Sequence, residues 1–282
     1  MHAPWKRTRT LAALILIAAG CGRPSAAPEG RATPMTPQLA ADLSVARQAR
    51  IFFYHHSVGE NLLAGLSELD ALAGGPRLRL ASPREAASVD GPVLAHGEGG
   101  QNKVPKSKID FFAATLRGEP RLRPDLALMK FCYVDFHPKT DVDELFAYYR
   151  STLEGLQREF PDVRFAHVTV PLTDRPSDAK STLRRALGLE VWADAANARR
   201  AEFSRRLKEA FPGDPIFDLA EVEATAPDGS TTTFELGGRR YPSLQPRYTD
   251  DGGHLNAEGK RVAAEAAVRF VARALRAERA AR

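Results

Sequence analysis

Two short segments near opposite ends of the 282-residue chain hold the residue types that nucleophilic catalysis needs. The first is His55-His56-Ser57-Val58-Gly59-Glu60-Asn61-Leu62, directly after the apolar run Ile51–Tyr54. A serine on a strand-to-helix turn has its hydroxyl near a helix N-terminus, where backbone N–H groups can stabilise a developing oxyanion. The same position also suits a serine that does no more than cap the helix. The second segment is Thr249-Asp250-Asp251-Gly252-Gly253-His254-Leu255-Asn256. Asp251 and His254 share a glycine-rich turn, so both side chains can point to one side. An aspartate so placed holds an imidazole in the tautomer that accepts a proton from a serine hydroxyl. The Asp-x-x-His pattern alone is weak. The order along the chain says more: serine after the first strand, Asp and His just before the last helix.

These residues need elements to bring them together. Ile51–Tyr54, Val93–Ala95, Leu126–Phe131, Phe165–Val170 and Ile216–Leu219 are short apolar runs with little polar alternation. They read as strands of a parallel sheet covered on both faces. Between them the spacing predicts helices near Glu60–Ala73, Lys106–Leu116 and Ala195–Phe211. Another starts at Thr140, where Thr140 and Asp143 have the spacing of a capping box. Its apolar face is Val142, Leu145, Phe146, Tyr149, Leu153, Leu156 and Phe160. Asn256 caps the last helix. A β-α-β-α order predicts a parallel sheet with helices on both sides, and ligands then bind outside the carboxyl ends of the strands. Residues 224–247 break the rhythm with Pro227-Asp228-Gly229 and Gly237-Gly238, which suggest turns and a small hairpin. That segment is either one wall of a pocket or a surface insertion.

The blocks together resemble the SGNH (GDSL-like) hydrolases. In that family the nucleophilic serine follows the first strand, a glycine follows the second, a G-x-N-D segment follows the third, and D-x-x-H precedes the last helix. Ser57 matches the first block, within His-Ser-Val-Gly in place of Gly-Asp-Ser. Asp251 and His254 match the last, including the continuation Leu255-Asn256-Ala257-Glu258-Gly259. The resemblance implies a three-layer α/β/α sandwich with a mostly parallel, five-stranded, flavodoxin-like sheet. It implies Ser57, Asp251 and His254 as catalytic residues and an oxyanion-hole glycine in His96-Gly97-Glu98-Gly99-Gly100. Gly100 is the assignment, with Gly97 and Gly99 as competitors. The third block departs: Lys130-Phe131-Cys132-Tyr133-Val134-Asp135 has Val134 where the family has its Asn. Asn102, on the neighbouring loop, is assigned to the oxyanion hole instead, on its residue type and place and not on a family match. The implied activity is ester hydrolysis through an acyl-enzyme, on a small-molecule or glycan ester, without a cofactor. Two alternatives stay open: an O-acyltransferase using the same triad, and a catalytically weak binding protein on the same fold.

The N-terminus carries an address. Lys6, Arg7 and Arg9 precede the apolar or small-residue run Leu11–Gly20, which is too short to span a bilayer and matches a secretory signal. Ala18-Ala19-Gly20-Cys21 resembles the bacterial lipobox, which implies lipidation of Cys21 and a membrane anchor. The expected organisation is a signal peptide over 1–20, a lipidated cysteine and flexible tether over 21–42, and one domain over 43–282. The expected location is the bacterial cell envelope, on the periplasmic or outer-membrane side. The formal net charge is +5, but Lys6, Arg7 and Arg9 all lie in the signal. The remaining field is too weak and dispersed to indicate nucleic acid. Of two cysteines, Cys21 is assigned to lipid, so Cys132 has no disulfide partner and reads as a small buried hydrophobe. His55, His56, Asp135 and His137 include metal-ligand types, but they come from two segments only and no metal is assigned. Lys130, at a buried strand end, calls for a neutralising partner such as Asp135. No obligate protein partner is indicated.

Overall fold

The computed structural model describes residues 35–281. The signal segment, Cys21 and most of the expected tether lie outside the described residues. The elements run in the order α1 (Pro37–Ala46), β1 (Arg50–Tyr54), α2 (Val58–Ala73), β2 (Leu80–Ala81), α3 (Pro83–Ala87), β3 (Val93–Gly97), α4 (Pro105–Gly118), β4 (Leu126–Met129) and α5 (Val142–Glu159). They continue with β5 (Arg164–Val168), α6 (Ala179–Ala186), α7 (Trp192–Ala210), β6 (Ile216–Phe217), α8 (Leu219–Ala224), β7 (Thr233–Leu236), β8 (Arg239–Pro242) and α9 (Ala257–Ala281).

The central sheet has the order β2-β3-β1-β4-β5-β6, and every pairing in it is parallel. It has six strands where five were expected. The added edge strand, Leu80–Ala81, is only two residues long, too short to show a periodic signal. Without it the order is the flavodoxin-like one, which reverses beside β1. Strand alternation then divides the core. Phe52 and Tyr54 of β1, with Ala127 and Met129 of β4, face α4, α5 and α7. Ile51 and Phe53, with Leu126 and Leu128, face α2, α8 and α9. The result is a three-layer α/β/α sandwich whose central strands β1 and β4 are buried on both sides, as their lack of polar alternation requires.

Several local expectations shift. The long helix α5 is capped one residue later than the Thr140 reading: Asp141 accepts from the Glu144 N–H, while the Thr140 hydroxyl accepts from the His137 N–H. Its buried face is otherwise the one the spacing gives, from Val142 to Leu156. Asn256 does cap α9, accepting from the Gly259 N–H at 3.1 Å. Residues 37–42, within the stretch read as tether, belong to α1. Thr36 caps it, Pro37 opens it, and Leu39 and Leu43 pack with Leu69, Ala264 and Val268 against α2 and α9. Residues 233–242 form the small hairpin, its turn made by Gly237 and Gly238, both with positive φ. No described helix is long and apolar enough to cross a membrane.

Candidate active site

β1 ends at Tyr54, and the chain turns through His55, His56 and Ser57 into α2. Ser57 takes φ 50°, a left-handed conformation that costs a non-glycine residue free energy and is held only when the surroundings enforce it. Its side chain makes no capping hydrogen bond to α2. The hydroxyl instead lies 2.5 Å from Nε2 of His254. The plain helix-cap reading of Ser57 is therefore set aside.

His254 arrives from the far end of the chain on a loop closed by an isolated bridge between Thr249 and Leu255. Asp251 organises that loop. Its Oδ1 accepts from the backbone N–H groups of Gly253 and His254 at 2.9 and 2.8 Å, and its Oδ2 lies 2.6 Å from His254 Nδ1. The hydrogen bond with His254, helped by the Gly253 N–H, holds the Asp251 carboxyl well below the usual carboxylate range. A carboxylate accepts only, so Nδ1 carries the proton and Nε2 is the acceptor facing Ser57. The structure thus brings together Ser57, His254 and Asp251 across 197 residues of sequence. The site is open: the side chains of His254 and Asp251 are 45% and 57% exposed.

The loop after β3 supplies the other assigned residues. Gly99 is anchored through its carbonyl, which accepts from the hydroxyl of Tyr54 and from Nε2 of His56. Gly100 follows with φ 69°, and a Cβ there would lie 2.7 Å from the Ser107 carbonyl oxygen. Only glycine fits the turn without displacing backbone. The backbone N–H groups of Ser57 and Gly100 donate to no partner among the described residues. Asn102 is exposed, and its Oδ1 accepts from Lys108 Nζ at 2.8 Å, which leaves its amide N–H groups as the unengaged end. Lys108 is itself fixed by a fully buried ion pair with Asp135 at 2.7 Å. Asp135 also accepts from the backbone N–H groups of Cys132 and Lys103.

That network corrects one expectation, the pairing of Lys130 with Asp135. Asp135 neutralises Lys108, and the buried Lys130 ammonium donates to the Phe131 carbonyl at 2.8 Å. His55, His56, Asp135 and His137 do not gather: Asp135 is engaged as described, and His137 is exposed with Nδ1 accepting from the Lys139 N–H. Cys132 is buried and free.

Two residues at the site were not singled out from sequence. Tyr133, in the departed third block, places its hydroxyl 3.5 Å from both ring nitrogens of His254, with the rings edge to face. Buried Arg200 holds it there, donating from two nitrogens to the Tyr133 carbonyl. Asn61, one turn into α2, accepts from the Leu255 N–H at 3.0 Å and so ties the serine turn to the histidine loop. Their positions after β4 and after Ser57 were the available signals; nothing in their residue types was.

Chemically, the arrangement offers a hydroxyl with a general base at hydrogen-bond distance, a carboxylate on the base's other nitrogen, and backbone donors at a helix start. Among solved structures, the chain is similar to a protein described as a GDSL-like lipase from Parabacteroides merdae, at 12% identity, covering 81% of this chain and 97% of that one, with a TM-score of 0.45. The periplasmic domain of a lipopolysaccharide acetyltransferase from Salmonella Paratyphi A gives 14% identity, 84% and 88% coverage, and 0.45. The catalytic domain of a peptidoglycan O-acetyltransferase from Streptococcus pneumoniae gives 12%, 83% and 96%, and 0.38. No protein-family model matches the sequence, and neither does any curated protein.

Proposed function

We propose that this protein is a serine esterase working through an acyl-enzyme on Ser57. The observation that carries the reading is the contact of Ser57 Oγ with His254 Nε2 at 2.5 Å while Asp251 holds the opposite nitrogen at 2.6 Å. His254 takes the Ser57 proton as Oγ bonds to the ester carbonyl carbon. The oxyanion is met by the N–H groups of Ser57 and Gly100 and by the Asn102 amide. When it collapses, the bond to the alkoxy oxygen breaks and His254 protonates the leaving alcohol. Water then attacks the acyl group with His254 again as base, which releases the acid and restores Ser57. The exposure of His254 and Asp251 fits a bulky substrate such as an O-acyl group on a glycan, which needs no deep enclosure. The lipobox-like Cys21 supports work at the cell envelope, on a membrane anchor.

The test is covalent labelling of the purified protein by a fluorophosphonate probe. Labelling of the wild type that Ser57→Ala and His254→Ala both abolish is the expected result. If folded wild type takes no label, the esterase reading fails.

A further inference from the structure

We propose that His55, His96 and Glu60 form a binding site for a divalent cation of the zinc class, beside the Ser57 turn. One ligand atom from each of these residues lies within 4.8 Å of the others. His55 Nε2 is 3.2 Å from His96 Nδ1 and 3.7 Å from Glu60 Oε1. Around a tetrahedral zinc with bonds of about 2.0–2.2 Å, neighbouring ligand atoms sit roughly 3.3–3.6 Å apart. The two separations from His55 bracket that edge length.

The proton inventory of His55 points the same way. Its side chain is fully buried, yet its Nδ1 has no hydrogen-bond partner; Glu98 Oε1 lies 3.6 Å away, just beyond reach. A neutral imidazole has one N–H and one lone pair. With the proton on Nε2, facing His96, the Nδ1 lone pair is left buried against the Glu98 carboxylate. With the proton on Nδ1, facing Glu98, the Nε2 lone pair faces His96 and Glu60. A cation at Nε2 makes the second tautomer the consistent one: Nδ1–H turns to Glu98, while Nε2, His96 Nδ1 and the Glu60 carboxylate all direct lone pairs at the metal. A carboxylate on the far nitrogen of a ligating histidine is the usual support of such sites.

The donor set, two imidazoles and a carboxylate, suits zinc over calcium or magnesium, which prefer oxygen. The two acids bring two negative charges that a divalent ion offsets. Glu60 is exposed, which leaves an entry path and room for a water as further ligand. The three ligands come from the end of β1, the end of β3 and the first turn of α2. A bound ion therefore pins the two loops that hold Ser57 and Gly100 in one frame, a positional role with no part in the proton transfers.

The experiment is equilibrium binding of zinc chloride to the metal-stripped full chain, with bound metal measured by atomic emission, alongside Glu60→Gln and His96→Ala. The expectation is one zinc per chain and a loss of at least about tenfold in affinity in each variant. Cobalt(II) substituted into wild type should show the visible absorption of a tetrahedral site, absent in His96→Ala. Because Glu60 is exposed, Glu60→Gln reports on the site even if His96→Ala fails to fold. No stoichiometric zinc on the wild type, or equal affinity in wild type and Glu60→Gln, overturns the proposal. Fluorophosphonate labelling of Ser57 is a separate readout, so either result leaves the esterase test standing.

Discussion

Ser57 is held in a left-handed conformation that keeps its hydroxyl off its own helix and on His254, so its reactivity depends on partners contributed by distant loops. Asp251 is the partner whose loss is easiest to interpret. Asp251→Asn keeps the size of the side chain but offers an N–H to Nδ1, which favours the tautomer with the proton on Nε2. In the serine protease that exemplifies this triad the same exchange costs about 10⁴ in turnover. A fall of that order in kcat, at little change in KM, is expected from steady-state kinetics on an activated ester. A drop below tenfold would mean that Asp251 does not set the tautomer. The oxyanion donors are tested by Asn102→Ala, which should cost about 10²–10³ in kcat if the amide faces the developing charge. The serine and the Asp/His pair were readable because their residue types and order are restrictive. Tyr133 and Asn61 were not, because a tyrosine or asparagine beside a strand or in a helix carries no chemical signature until the fold sets it against His254 or Leu255.

At the scale of elements, the site depends on how closely α2 and α9 pack, since one follows Ser57 and the other follows His254. Gly65 of α2 faces the backbone of α9, and a Cβ there would collide with the Lys260 carbonyl. Gly65→Ala therefore forces the helices apart. We expect a loss of about 1–3 kcal/mol in urea unfolding, and slower fluorophosphonate labelling as the Ser57–His254 contact lengthens. Unchanged stability would show that α9 yields at no cost. The loop behind the oxyanion donors depends on the buried Lys108–Asp135 pair. Asp135→Ala leaves an uncompensated buried ammonium and two unmet backbone N–H groups, with an expected cost of about 3–5 kcal/mol by the same measurement. Helices with a long apolar face, such as α5, were legible because their period repeats over many residues. The two-residue edge strand was not, and the cap of α5 was misplaced because Thr140 and Asp141 both precede it and only geometry decides between them. Pairing Lys130 with Asp135 failed for a related reason: proximity in sequence favoured it, but α4 brings Lys108 to the carboxylate first.

At the scale of the whole molecule, charges are trapped between the layers where the sheet's carboxyl edge meets α7 and α8. Glu223 is fully buried; one carboxylate oxygen accepts from the Leu172 N–H at 2.6 Å and the other has no partner. Burial, only partly offset by that hydrogen bond and by Lys130 and Arg200, pushes its carboxyl up to about 8. Burial also pulls the Lys130 ammonium down to about 8. Between the ordinary carboxylate value and about 8, the folded protein thus retains a proton on Glu223 that the unfolded chain has lost. The slope of stability with pH is proportional to the protons bound by the unfolded chain minus those bound by the folded one, so this group makes stability fall as pH rises through that window. Below the window both states are protonated and its contribution is flat. Lys130 acts with opposite sign only above about 8, where its unfolded form still holds a proton that the folded form has released. Glu223→Gln preserves the acceptor for Leu172 and removes the titration. Urea unfolding at about pH 5 and about pH 7.5 should show the wild type losing stability between them and the variant losing less, by up to roughly 3 kcal/mol. Parallel pH profiles would mean that Glu223 folds as a carboxylate paired with Lys130 and Arg200, and that the interior behind the site is ionic.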